Sequence, residues 1–175
     1  FHDPTIDYDS MSSDVIGFCK SNNLKNIIFI GHSMGGKTIL NLSQKHSDLT
    51  KLSIIVDILP IKYEPKHLII LDAMHKIDLS SFNTRTEIDQ TLSKDIKNKM
   101  IRQFIQKSII HTENGFEWQL NLPVLIHQYP KIMDKIDVTK KIVTPTLFIR
   151  GDQSDYIPLD QYQKIKNKFA NVTCE

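Results

Sequence analysis

The 175-residue chain is 40% hydrophobic and 24% charged, and 22 basic side chains against 20 acidic ones leave a formal charge of +2. Such a composition belongs to a folded globular domain and excludes a disordered tail, a collagen-like chain or a disulfide scaffold; the mixed charge gives no electrostatic basis for nucleic-acid binding. Apolar runs such as 27–30 and 54–56 are far too short to cross a bilayer, and Cys19 and Cys174 have no CxxC or ligand spacing, which fits a reducing compartment.

Tyr8, Met11, Val15, Phe18 and Cys19 recur at helical spacing, with Asp9 or Ser10 placed to cap the start and Asn22-Asn23 to end it. Residues 26–30, apolar and β-branched, predict a buried strand. Gly31 is expected to break that strand, and a helix resumes over 37–46 with Ile39, Leu40 and Leu42 on one face. Residues 52–56 predict the next strand. Helix, strand, turn, helix, strand is the order of a parallel α/β sheet. From Ile58 to Val143 helical stretches dominate, at 67–76, 84–93, 94–107 and 122–135, with Asn114-Gly115 a tight turn among them. Residues 144–149 restore a buried strand, and a helix follows near 159–169. The expected organisation is a partial α/β core made of 1–57 and 144–175, interrupted by a helical insertion over 58–143. The chain begins at Phe1 rather than Met, and Val172-Thr173-Cys174-Glu175 reads as a strand just starting, so a piece of a longer protein is expected.

Three of the six glycines fall in Gly31-His-Ser-Met-Gly-Gly36, between a predicted strand and a predicted helix. The segment fits two chemical templates. Gly31-His32-Ser33-Met34-Gly35 is G-x-S-x-G, the nucleophile elbow, in which a sharp turn holds out a serine so that a base can reach it. Small residues two before and two after the serine let strand and helix approach, and the Met34 N–H would face an oxyanion. The same stretch continued to Lys37-Thr38 is G-x-x-x-x-G-K-[ST], the phosphate-cradling P-loop, with Asp57 ending an apolar strand as the magnesium-holding acid. Bulky His32 and Met34 suit a phosphate cradle poorly. The P-loop also leaves Ser33 and the segment 144–158 without a role, whereas the elbow uses both.

Taken with their neighbours, these residues resemble the α/β-hydrolase superfamily, and more closely its small intracellular esterases and acyl-CoA thioesterases. The resemblance rests on His2-Asp3-Pro4, Gly31-His-Ser-Met-Gly-Gly-Lys37, Val56-Asp57-Ile-Leu-Pro60, Arg102-Gln-Phe104, Asn121-Leu-Pro-Val-Leu125 with Tyr129-Pro130, and Pro145-Thr-Leu-Phe-Ile-Arg-Gly151 through Ser154 to Tyr156, in family order along nearly the whole chain. It implies a doubly wound, mostly parallel sheet, incomplete here, with a helical lid over 58–143. It implies Ser33 as nucleophile, Met34 N–H as oxyanion donor and an acyl ester or thioester as substrate, with no cofactor. The acid in many members follows the strand after the lid, where Gly151 to Pro158 has the right spacing but Ser154 occupies the acid slot and Asp155 follows it. In the esterase subgroup the acid ends the strand before the lid, which is Asp57. Asp57 is the favoured acid, Asp155 the alternative, and Ser154 a turn residue that can assist.

The base is the departure from the pattern. Members carry the catalytic histidine after the last strand, and here the last of seven histidines is His127. His32 adjoins the serine but points another way; His67, His75, His111 and His127 lie in the insertion, and His2 and His46 read as exposed. The expected triad is therefore Ser33, Asp57 and a histidine beyond residue 175, and the 175 residues alone are expected to be insoluble or inactive, with an apolar strand edge uncovered. Phe116, Trp118, Leu120, Leu125 and Tyr129 are candidates for an acyl pocket or for plain packing. Lys131, Lys135, Lys140 and Lys141 form a basic run that reads as a solvated face, with a phosphorylated carrier such as CoA the sharper alternative. No paired His/Cys spacing predicts a metal. The location expected is cytoplasmic, or an organelle if a transit peptide precedes Phe1. A P-loop nucleotide-binding protein and a non-catalytic hydrolase-fold scaffold are the alternatives in function.

Overall fold

Asp7, rather than Asp9 or Ser10, starts the first helix: its carboxylate accepts from Ser10 N at 2.8 Å while Ser10 Oγ takes the Asp7 N–H at 3.1 Å, a reciprocal capping box. The computed structural model describes residues 5–175, so His2-Asp3-Pro4 lie outside the described residues. Two compact units emerge, one of Ile6–Tyr63 with Lys131–Glu175 and one of Glu64–Pro130. The second is narrower than 58–143, because 58–63 and 131–143 pack with the first.

The first unit contains α1 (Tyr8–Ser21), β1 (Ile27–His32), α2 (Met34–Lys45), β2 (Thr50–Val56), β5 (Thr146–Ile149), α7 (Leu159–Ile165) and β6 (Val172–Cys174). Its strands form one parallel sheet in the order β1-β2-β5-β6. Gly31 does not break β1; the strand runs on through His32, and the chain turns at Ser33. Parallel neighbours need a crossover, which α2 supplies between β1 and β2. Gly31, Ser53, Ile55, Thr146 and Phe148 share one face of the sheet, where Leu40, Ile55, Leu59, Phe148 and Ile157 are fully enclosed and Tyr162 and Phe169 stack edge-on against Phe148. The opposite face carries Ile28, Ile30, Leu52, Ile54, Leu147 and Ile149, all half or fully exposed, with Ile30 at 70%. Apolar residues on both faces are the pattern of a parallel strand covered on both sides. α1 rests on α2 through buried polar contacts: Asn41 Nδ2 donates to Tyr8 O at 2.8 Å and Ser12 Oγ to Thr38 O at 3.1 Å.

The second unit departs from an all-helical insertion. It holds α3 (Leu68–His75), α4 (Arg85–Leu92) and α5 (Lys99–Gln106), then a hairpin of β3 (Ile109–Thr112) and β4 (Gly115–Trp118), and the start of α6 (Leu122–Met133). The hairpin was hidden because Ile109-Ile110 and Phe116-Glu-Trp118 are too short for periodicity to separate strand from helix. Gly115, at φ 103°, supplies the left-handed residue that closes it. α5 is half its predicted length, since the Asn98 side chain caps a new start by accepting from Met100 N at 2.9 Å.

Arg102 organises this unit. Its guanidinium forks onto Asp89 at 3.1 and 3.2 Å and donates to the carbonyls of Ile96 and Lys97, each at 2.9 Å. Arg102→Ala leaves two carbonyls without this donor and a half-buried carboxylate without its counter-ion, Gln106 Nε2 alone still donating to it at 2.8 Å, and is expected to cost about 2–3 kcal/mol. Hydrogen exchange across 85–118 in the full-length protein reads this as lost protection.

Candidate active site

β1 and β2 are paired to their last residues, His32 opposite Val56, so Ser33 and Asp57 leave adjacent strands side by side at the carboxyl end of the sheet. Function gathers at that end in open α/β sheets. Both residues hold left-handed backbone: Ser33 at φ 52°, ψ −119° and Asp57 at φ 54°. Non-glycine residues there cost of order 1–3 kcal/mol each, and such strain collects at functional sites. Backbone bonds keep both turns in place: Ser33 N donates to Val56 O at 3.1 Å and Asp57 N to Ile149 O at 2.8 Å.

The turn at Ser33 depends on two glycines, but not the two that the motif suggests. A Cβ on Gly31 would lie 2.5 Å from Ile39 Cδ1 and 2.6 Å from the Gly35 carbonyl, and one on Gly36 2.6 Å from Ile58 Cγ2. On Gly35 it would meet nothing within 4 Å. Gly31 and Gly36 therefore let strand and helix close, and Gly36 was missed because it lies outside G-x-S-x-G. Met34 opens α2, so its N–H is among those at a helix start that have no partner within the helix and point at incoming negative charge.

Asp57 is held from the loop after β5. Ser154 Oγ donates to Asp57 Oδ2 at 2.7 Å, and Gly151 N approaches Oδ1 at 3.4 Å. Ser154 Oγ in turn accepts from Tyr156 N at 3.2 Å. The structure thus brings Ser154 onto Asp57, whereas Asp155 is exposed. That pairing joins residues 97 apart in sequence, and the only sequence signal was a serine in a slot spaced for an acid.

Lys37 excludes the phosphate cradle. Its side chain is 1% exposed, its ammonium donates to Asp134 O at 2.6 Å, and it lies 4.9 Å over the Tyr63 ring and 5.7 Å from that of Tyr8. The P-loop alternative fails there, because its lysine must reach the phosphates. Burial lowers the Lys37 pKa to about 8, against a partial lift from Asp134. Between pH 8 and about 10.4 the unfolded chain then binds the proton that the folded one has released, so stability rises with pH across that window. The rise amounts to about 3 kcal/mol for a shift of this size. Lys37→Met is expected to remove it. Urea melts of full-length wild type and variant at pH 7 to 10 measure the difference, which cancels the opposing effect of Tyr63, Tyr162 and Cys174, whose pKa values burial raises.

Among the described residues no histidine is hydrogen-bonded to Ser33 or Asp57. His67 Nδ1 meets Tyr129 Oη at 3.2 Å, His127 Nδ1 meets Gln128 Nε2 at 3.2 Å, and His111 packs edge-on against Phe116. His32 and His75 are exposed, His46, expected to be exposed, is half-buried at the end of α2, and His2 lies outside the described residues. Phe116 and Tyr129 are buried in the second unit, the former under the Arg85 guanidinium at 5.7 Å; Trp118 and Leu125 are half-buried there and Leu120 is exposed. Lys131, Lys135, Lys140 and Lys141 are exposed, Lys135 pairing with Asp137 at 2.8 Å. Among the described residues no group of three or more His, Cys, Asp or Glu converges to hold a metal, and no helix is long and apolar enough to cross a membrane.

A parallel sheet whose first strand ends in a strained serine at a helix start, beside an acid that ends the next strand, is the architecture of an α/β hydrolase. No family model matches the sequence. The chain is 30% identical over 177 residues to sn-1-specific diacylglycerol lipase ABHD11 of Mus musculus (98% of this chain, 58% of that one) and 32% identical over 164 residues to esterase YbfF of Escherichia coli strain K12 (92% and 61%). The solved structure of a marine microorganism esterase superposes with a TM-score of 0.94 at 35% identity, covering 99% of this chain and 69% of that one. With that fold, that identity and that coverage, the chain belongs to the esterase branch of the α/β-hydrolase family. It spans about 60% of the length of the curated relatives it matches.

Proposed function

We propose that the protein is a serine hydrolase of carboxylic esters or acyl thioesters. Ser33 Oγ attacks the acyl carbonyl and passes its proton to a histidine. The Met34 N–H stabilises the resulting oxyanion. Collapse of the tetrahedral intermediate expels the alcohol or thiol, which takes the proton from that histidine, and leaves an acyl-serine. Water, deprotonated by the same histidine, attacks the acyl-serine to release the acid and restore Ser33. Asp57 orients the histidine, with Ser154 and Gly151 aiming its carboxylate. The histidine belongs to a part of the protein outside these 175 residues, a reading supported by the lack, among the described residues, of a histidine hydrogen-bonded to Ser33 or Asp57, and by the longer relatives.

The observation that carries this reading is the pair of left-handed residues, Ser33 and Asp57, at the ends of adjacent parallel strands. No packing need explains a serine at φ 52°, whereas presenting its hydroxyl to a base does. Asp57 is favoured over Asp155 because two donors converge on its carboxylate. The test is covalent labelling of the full-length protein with a fluorophosphonate, followed by peptide mapping. Label on the Ser33 peptide is expected; no label, beside a competent control hydrolase, sinks the proposal and leaves a non-catalytic scaffold.

A further inference from the structure

Asp57 occupies a strained backbone position, and its aim depends on the chain on either side of it and of Ser154. One hydroxyl ties both stretches together. Tyr63 Oη accepts from Leu59 N at 2.8 Å and donates to Tyr156 O at 2.6 Å. Leu59 lies two residues after Asp57, and Tyr156 lies two residues after Ser154. Tyr156 N donates to Ser154 Oγ, and Ser154 Oγ donates to Asp57. The bonds close a ring: Asp57 to Leu59 along the chain, across the Tyr63 hydroxyl to Tyr156, and back through Ser154 to the Asp57 carboxylate.

A phenol suits that position because it donates and accepts at once. Burial holds its pKa far above the usual value, so it keeps its proton at any working pH. The Tyr63 ring is itself fixed, lying 5.5 Å from the Tyr156 ring and carrying the Lys37 ammonium 4.9 Å from its centre. Lys37 sits one helical turn beyond the nucleophile, its N–H donating to Ser33 O at 3.2 Å. Its ammonium also anchors Asp134 O, one residue past the Met133 carbonyl that accepts from Tyr63 N at 2.8 Å.

We propose that Tyr63 is a positioning residue for the acid Asp57, its ring fixed by the buried ammonium of Lys37. The inference rests on the serine-hydrolase reading above and gives work to a lysine which that reading left unused. Tyr63 touches no reacting atom; it acts by keeping the strained turn at Asp57 and the Ser154 loop in register. The experiment compares wild-type full-length protein with Tyr63→Phe, Ser154→Ala and the double variant, on p-nitrophenyl butyrate and in the rate of fluorophosphonate labelling. Tyr63→Phe is expected to lower kcat roughly 10-fold with KM within about twofold, and to slow labelling by the same factor. Because both residues act through one carboxylate, the double variant should fall no more than about threefold below the weaker single variant.

An unchanged kcat in Tyr63→Phe overturns the proposal, as do effects of the two substitutions that simply multiply. Should Tyr63→Phe not fold, Lys37→Met decides: it keeps both phenol hydrogen bonds but frees the ring, and a kcat equal to wild type rejects the arrangement. Wild type that labels and turns over, with an undisturbed Tyr63→Phe, removes this inference alone. Wild type that does neither removes the hydrolase reading and this inference with it.

Discussion

Replacing Ser33 with alanine in the full-length protein is expected to lower kcat/KM for a p-nitrophenyl ester by roughly 10⁴–10⁶, with fluorophosphonate labelling lost. The size follows from the chemistry: without the hydroxyl there is no acyl-enzyme, and only water attack aided by the oxyanion donor remains. The fold should not contribute to the loss. Ser33 makes no side-chain capping bond to α2, so the deletion removes no contact that holds the helix start. Alanine at φ 52° is strained much as serine is, so a melting temperature within a few degrees of wild type is expected beside the loss of rate. A variant that keeps more than a hundredth of wild-type activity would exclude Ser33 as the nucleophile.

The second large effect is expected at Asp57. Asp57→Asn should cost roughly 10⁴ in kcat, the penalty for presenting the wrong group to a triad histidine. Asparagine is the informative choice because it tolerates left-handed backbone at least as well as aspartate does. The strained turn at φ 54° therefore survives, and the measurement isolates the charge. The same experiment separates the candidate acids: Asp155→Asn, at an exposed residue, should leave kcat within about threefold. If instead Asp155→Asn carries the large loss, the acid has been misassigned and the 2.7 Å bond between Ser154 and Asp57 is only a loop brace.

Local features carried the fold a long way. The apolar run before Gly31, the helix after it and the next β-branched run before Asp57 have a period and an order that only a parallel α/β unit satisfies. Their boundaries were less legible. β1 extends past Gly31 because pairing with β2 continues to Val56, a tertiary fact with no local trace. The hairpin at 109–118 escaped because each strand has only four residues. The α5 start moved because one asparagine side chain turned inward to cap.

The site divides along the same line. G-x-S-x-G names Ser33 as it stands in the sequence, because a serine with glycines two before and two after it at a strand-to-helix junction is a local arrangement. Lys37 shows the limit of that kind of reading: as a string it completes a phosphate motif, yet in space it is buried against Tyr63 and Asp134. Whether a lysine meets a phosphate or a carbonyl depends on what packs over it.

By itself the sequence determined the composition, the alternation of strand and helix, and the serine at the turn, all set by neighbours within about ten residues. Only the tertiary structure decided the rest. It placed Asp57 beside Ser33, put Ser154 rather than Asp155 on that carboxylate, and closed both loops through the Tyr63 hydroxyl. Those contacts join residues 93 and 97 apart, and such pairs meet only when the sheet brings its strand ends together.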